Sequence, residues 1–242
     1  MVGSNQIKEA ALSICCPICK SVKFQAFNGR ENARCLGCLS VERTRLLWMV
    51  LERLDIIKPG IRVLHFAPEL PLLMRFHSLL GDRYHPCDLD PFRYKSRYCH
   101  IFPINMCQDL QKMPSEVFDI IIHNHVLEHI CCSVEDTLVE LNRIQKKNSH
   151  HFFSVFFGGA TTIEDISPSL TGEQKSKLFG QHDHVRSFGK EDFPALLKRV
   201  WNVPNVTVSV KSMFAETEIE RAAIPLKSLE EIDANTIFHH VK

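Results

Sequence analysis

The chain has 242 residues, 45% of them apolar, and a formal net charge of +1. That length suits one medium domain with a true core plus a small module, and the balanced charge excludes a global electrostatic attraction to nucleic acid or to a membrane surface. No apolar run approaches the ~18 residues of a membrane span, and the opening MVGSNQIKEA has no basic stretch followed by an apolar one, so a cytoplasmic protein without a secretory leader is expected. Ten cysteines are many for a reducing compartment, where they mean metal more often than disulfides.

Four of those cysteines form a pattern near the start of the chain: Cys16-x2-Cys19 and Cys35-x2-Cys38, fifteen residues apart. Paired knuckles at this separation suit one tetrahedral zinc held by four thiolates. Pro17 presets a turn dihedral in the first knuckle, and Gly37 is expected to supply a left-handed backbone in the second. Between them, the segment around Asn28-Gly29 reads as a short hairpin, so residues 14–40 are expected to be a zinc ribbon. Cys15 is an alternative ligand with poorer spacing than Cys16. Residues 16–45 carry six Lys or Arg against two Glu, a local excess able to meet phosphates. The simpler account is a structural zinc that lets a small module fold with little core.

From residue 41 to 242 the pattern alternates between helix and strand. Ser40 is placed to cap a helix that carries Leu46, Leu47, Val50, Leu51 and Leu54 at helical spacing. IRVLHF is a strand, and LPLLMRFHSLLG a helix stopped by Gly81. RYHPCDLD holds a short strand ending in acid, and FDIIIHN is an apolar strand. SVEDTLVELNRIQKK is a helix capped by Ser133, HHFFSVFF a strand and KEDFPALLKRVW a helix. VTVSVKSMF and IERAAIPL are expected to close the sheet as a hairpin. Apolar strands alternating with helices imply an α/β fold with a mostly parallel sheet covered on both faces, and in such sheets ligands bind over the carboxyl ends of the strands.

Two acids stand at those ends. Asp88 lies just beyond the second strand of the sheet, where a carboxylate can accept both ribose hydroxyls of a nucleoside cofactor. Asp109 precedes the FDIII strand and is placed to accept from an exocyclic adenine amine.

VLHFAPE, CDLD, QDLQKMP and FDIIIHNHVLEHI, in this order, resemble the class I S-adenosylmethionine-dependent methyltransferases. CLGCLSVERTRLLW, VLHFAPE and FGQHDHVR together resemble a bacterial subgroup with an N-terminal zinc ribbon fused to that domain. The resemblance covers about Cys16 to Trp201. It implies a Rossmann-like, seven-stranded methyltransferase sheet, S-adenosylmethionine as cofactor, and cofactor contacts from His65, Ala67, Pro68, Glu69, Asp88, Asp109, Leu110 and Asn124. Two departures stand out. HFAPEL replaces the usual glycine-rich loop, leaving Ala67 beside the methionine portion and Glu69 to receive its ammonium group. KKNSH replaces the usual Pro-Gly-Gly turn.

His125, Glu128 and His129 have i, i+3, i+4 spacing, which projects them from one face if a helical turn begins there. H-x-x-E-H is also a zinc-protease signature, but here it follows a buried strand, so that reading is set aside. Certain ubiquinone-biosynthesis and small-RNA O-methyltransferases look similar at this point, with Glu-x-x-Glu-His holding a divalent ion. A second cluster, His182, Asp183, His184 and Arg186, lies in the long segment 158–190, which is expected to fold over the acceptor pocket. His125, Glu128, His129, His182, His184 and Arg186 are therefore the candidate catalytic residues. A second divalent metal at His125, Glu128, His129 and His182, with His184 as the other candidate for the fourth ligand, stays open beside the alternative that Glu128 and His129 only support the cofactor.

The favoured function is methyl transfer to an oxygen of a small polar or anionic acceptor, with Arg186 pairing an anionic group. Two alternatives are an RNA methyltransferase that grips RNA with its ribbon and a non-catalytic zinc-ribbon adaptor whose nucleotide fold is degenerate. A membrane partner is not expected.

Overall fold

The computed structural model describes residues 13–94, 99–229 and 232–242. The opening stretch read above for a leader lies outside the described residues. Among the described residues no helix is long and apolar enough to cross a membrane.

The N-terminal hairpin pairs β1 (Phe24–Phe27) with β2 (Arg30–Cys35) in antiparallel register. Asn28 and Gly29, at φ of 50° and 74°, make the tight turn that Asn-Gly specifies. Helix α1 (Glu42–Arg53) follows. Ser40 does not cap it; the N-cap is Val41, and the buried Ser40 hydroxyl faces the cysteine sulfurs instead.

Strand and helix then alternate, with β5 and α3 added to the expected elements: β3 (Val63–Phe66), α2 (Leu70–Leu80, ended by Gly81), β4 (Tyr84–Asp88), β5 (Phe102–Pro103), α3 (Met106–Asp109), β6 (Phe118–Asn124), α4 (Val134–Ile144, capped by Ser133) and β7 (Gln145–Ser154). The Gln-Lys-Lys tail read as helix is strand. Helix α4 ends at Ile144, and Asn148, at φ of 55°, takes a left-handed conformation where the family pattern has glycine.

Residues 157–189 form a small sheet of β8 (Phe157–Gly159), β9 (Ile163–Glu164) and β10 (Arg186–Gly189), with α5 (Gly172–Phe179) between the last two strands. Helix α6 (Asp192–Trp201) returns the chain to the main sheet.

The expected closing hairpin is not there. Its two segments give short helices, α7 (Val210–Met213) and α8 (Glu216–Arg221), and only Thr207 keeps a bridge, to Phe238. The antiparallel edge is β11 (Phe238–Val241), bound to β7. Among the described residues the main sheet therefore has six strands where seven were expected, in the order β11-β7-β6-β3-β4-β5, parallel except for β11.

Alternation along the central strands supplies both faces of this sheet. Ile120, Ile122 and Phe152 pack with Leu46, Trp48, Leu51 and Phe76 on one side. Ile121 and Phe153 pack with Leu138, Leu141, Phe193 and Leu197 on the other. Cys107 and Cys132 form a disulfide, the use expected less often than metal; the other eight are free.

Candidate functional site

The ribbon cysteines converge. Each knuckle is closed the same way: Lys20 N–H donates to the Cys16 carbonyl at 2.9 Å, and Leu39 N–H to the Cys35 carbonyl at 2.9 Å. Lys20 and Leu39, at φ of 65° and 67°, carry the left-handed turns. Gly37 does not. Its need is space, because a Cβ there would lie 2.8 Å from the Ser21 Cβ and 3.0 Å from the Cys19 sulfur.

Sulfur separations are 3.6 Å for Cys16–Cys38 and 3.5 Å for Cys19–Cys35, and all four sulfurs lie within 4.8 Å of one another. A tetrahedron with Zn–S bonds of about 2.3 Å has edges of about 3.8 Å, so the set fits one zinc after a small outward relaxation. The Gly37 N–H lies 3.3 Å from the Cys35 sulfur and the Ser40 hydroxyl 3.2 Å from that of Cys38, neighbours suited to thiolate charge. A hydrogen bond from Cys38 pulls the Cys16 thiol down to about 4, against burial, and the same bond pushes Cys38 up. Cys15 stands outside the cluster, its thiol directed at the Lys20 carbonyl.

Arg45, fully buried, fastens this module to the rest of the chain. Its guanidinium donates to the carbonyls of Ala33 and Ser40 on the ribbon side and of Ala222 and Ala223 beyond α8. Arg30 pairs with Glu42 at 2.7 Å. Two of the six positive side chains in this segment are thus engaged by neighbouring groups, Arg45 in the interior and Arg30 at the surface.

Over the carboxyl ends of the main sheet, β3 leads into Ala67, Pro68 and Glu69. Ala67 sits at φ of 46° and holds its turn by donating to the Cys87 carbonyl at 2.8 Å. Glu69 meets His65 Nε2 at 3.4 Å and Arg43 at 3.8 Å, and accepts from Asn124 Nδ2 at 3.0 Å. Burial alone would raise its carboxyl, but His65 and Arg43 outweigh it and hold the group down to about 2. Glu69 Oε2, the oxygen that faces His65 Nε2, is buried and makes no hydrogen bond of good geometry among the described residues.

Asp88 ends β4, buried, and accepts from the Asp90 N–H at 2.9 Å and the Tyr94 hydroxyl at 2.8 Å. Among the described residues its hydrogen-bond partners are neutral donors. Asp109 binds its own turn: it accepts from Asn105 N–H at 2.8 Å and pairs with Lys112 at 2.7 Å. Leu110 lies in the core. Glu69, Asp88 and Asn124 are thus brought to one end of the sheet, while Asp109 and Leu110 serve the turn after α3. Cavities of about 620 and 340 Å³ lie elsewhere, one between α4, β9 and α6 and one between α1 and α2. Neither is lined by these carboxylates, and the chemistry of the strand ends is the better guide.

The residues after β6 make a turn, not a helix, so the three spaced side chains separate. His125, at φ of 53°, meets Glu128 at 3.0 Å. Glu128 is fully buried and also accepts from Phe156 N–H at 2.7 Å. Burial would raise its carboxyl; the hydrogen bond and charge of His125 hold it below the usual range. His129 points the other way and meets Asp183 at 3.3 Å.

The long segment does reach this turn: Val185 N–H donates to the Glu128 carbonyl at 2.9 Å. His184 is buried with its ring 4.7 Å from that of His129, whereas His182 is 74% exposed. Arg186 is fully buried. It donates to the carbonyls of Leu127, Ile130 and Cys132 and pairs with Glu164, so its guanidinium is engaged by protein groups and braces the turn. Arg43, Ser40 and Tyr94 were missed as site neighbours, because nothing in their local sequence marks them. Asp183 stood in plain view beside two histidines.

No protein-family model and no curated protein sequence matches the chain. Solved structures do. A methyltransferase dependent on S-adenosylmethionine from Mesorhizobium loti aligns with a TM-score of 0.50 at 16% identity, over 80% of this chain and 96% of that one. Another from Archaeoglobus fulgidus aligns with a TM-score of 0.48 at 13% identity, over 82% and 94%. A Burkholderia thailandensis 1,6-didemethyltoxoflavin N1-methyltransferase, solved with S-adenosylhomocysteine, aligns with a TM-score of 0.43 at 13% identity, over 66% and 67%. The fold of this chain is that of the S-adenosylmethionine-dependent methyltransferases.

Proposed function

We propose that the chain is an S-adenosylmethionine-dependent methyltransferase that acts on an oxygen of a small polar or anionic acceptor. The observation that carries the reading is the convergence of Glu69, buried Asp88 and Asn124 on one end of a parallel sheet of the methyltransferase fold. Asp88 would accept the ribose hydroxyls and Glu69 the ammonium group, with His65, Ala67 and Pro68 shaping the loop between them. Asn124 orients Glu69. Asp109 and Leu110 form the turn on the adenine side.

The bound cofactor supplies an activated methyl group on a sulfonium. The protein's share is to align the acceptor oxygen in line with that methyl and to take the acceptor's proton. His129, with Asp183 against its Nδ1, is the group placed to take it. His125 and Glu128 shape the turn that holds His129, His184 backs its ring, and Arg186 keeps that turn rigid. His182 lies at the solvent edge.

In this reading residues 14–40 form a zinc ribbon with Cys16, Cys19, Cys35 and Cys38 as ligands. Residues 41–242 form the methyltransferase domain, and 158–190 cover the acceptor side. The burial of Arg45 and the pairing of Arg30 with Glu42 favour a structural ribbon over an RNA grip.

The test is calorimetry with S-adenosylhomocysteine on wild-type protein and Asp88→Ala. Hydrogen bonds to charged groups contribute about 1.5–3 kcal/mol each, so the variant should bind at least about tenfold more weakly. Equal affinity would move the cofactor off Asp88. No binding by the wild type would leave the adaptor reading standing.

A further inference from the structure

We propose that His129, Asp183 and His184 form a second metal site, separate from the cysteine cluster, for a zinc-like divalent ion. Their three ligand atoms lie within 4.8 Å of one another. His129 Nδ1 and Asp183 Oδ2 are 3.3 Å apart. Tetrahedral coordination with bonds of about 2.0–2.1 Å requires an edge of about 3.3 Å, so this pair already spans one edge.

The surroundings prepare each ligand. His184 Nδ1 lies 2.9 Å from the Phe179 carbonyl, an acceptor only, so the ring proton sits on Nδ1 and the lone pair on Nε2. A metal-binding histidine is held in this way, with its second nitrogen donating to a carbonyl. Asp183 Oδ1 accepts from Gln181 Nε2 at 2.9 Å, which leaves Oδ2 for the ion. The two segments are registered by the bond from Val185 N–H to the Glu128 carbonyl, one residue from His129 and one from His184.

The set differs from the one the sequence spacing suggests. His125 and Glu128 are bound to each other and His182 faces solvent, so His129 and the second loop histidine, His184, remain and Asp183 is new. Three protein ligands leave a fourth position, and the exposed side of Asp183 leaves it open to solvent. An ion with three protein ligands lowers the pKa of an oxygen bound in the fourth place. The methyltransferase reading matters here only for what the ion would do: it would hold and acidify the acceptor oxygen, a task that His129 takes as a base only where the pair is metal-free.

The experiment is metal counting on the full chain, stripped with a chelator, reloaded with zinc and dialysed. Wild type should retain two zinc ions per chain. Asp183→Asn and His129→Gln, both on partly exposed side chains, should each retain one, the cysteine-bound ion, with unchanged circular dichroism. One ion in wild type, or two in both variants, overturns the proposal and leaves His129 and Asp183 a metal-free pair. S-adenosylhomocysteine binding is measured on the same samples. Two ions without that binding would uphold the site and sink the methyltransferase reading; one ion with binding would do the reverse.

Discussion

At Ala67 the backbone conformation asks for one residue and the sequence supplies another. A left-handed backbone costs a residue with a Cβ about 1–2 kcal/mol, and glycine escapes that cost while losing about 0.5–1 kcal/mol in chain entropy. Ala67→Gly should therefore stabilise the protein by about 0.5–1 kcal/mol, seen as a rise in Tm of about 1–4 °C. A fall in Tm would mean that the Ala67 methyl packs against something that outweighs the strain. Arg186 makes the opposite point. An arginine beside a histidine cluster reads as an anion receptor, yet its donors go to the carbonyls of a turn that has no helix to satisfy them. Residue type suggested recognition; only the buried carbonyls around it show bracing.

At the scale of elements, the ribbon and α8 are mechanically one unit. Arg45 sits between Ala33 and Ser40 on one side and Ala222 and Ala223 on the other, and the Cys15 N–H donates to the Arg221 carbonyl at 2.6 Å. With zinc held by the four cysteines, as proposed, a chelator should speed amide hydrogen exchange in residues 13–45 and also in 216–223, because loss of the knuckles frees the carbonyls that fix Arg45. Exchange that rises in the ribbon alone would show that α8 stands without it. The hairpin and both knuckles were legible, since Cys-x2-Cys and Asn-Gly each specify a local geometry. The tie to α8 was not, because it spans 177 residues of sequence.

At the scale of the molecule, full or partial burial pushes histidines of the sheet's inner and edge strands toward the neutral form. His123 Nε2 lies 2.9 Å from His151 Nε2, and His150 Nδ1 3.0 Å from His239 Nε2. His240 bonds Asn142 at 3.0 Å. Burial, the largest cause in each case, holds His123 down to about 3 and His239 and His240 down to about 4. For His123, the Glu128 charge opposes that shift and His65 adds to it. The unfolded chain takes up these protons near pH 6.5, so their contribution to stability is full above about 6.5 and is lost as pH falls toward 4. Fully buried His123 alone should cost about 1.4 kcal/mol for each pH unit below about 6. The carboxyl of Glu69, held at about 2, adds its loss only below about 4.3. Urea unfolding at pH 7.5 and 5.5 should show markedly lower stability at 5.5, with a shallower fall in His123→Gln. Equal stability at the two values would refute the buried-neutral assignment.

Local pattern alone determined the parallel α/β architecture, the Asn-Gly hairpin and the four-cysteine cluster, because alternation, helical spacing and turn chemistry act between near neighbours. Tertiary structure decided the rest. VTVSV alternates like a strand, but the edge of the sheet went to Phe238–Val241, whose histidines find partners on β7 and α4 that no window of sequence displays. Spacing put His125, Glu128 and His129 on one face, yet with no helix after β6 Glu128 turned inward to His125 and Phe156. His129 turned outward to Asp183, a residue brought there by a different segment of the chain. Ligand sets of this kind are fixed by where buried hydrogen bonds can be satisfied, and that is a property of the whole fold.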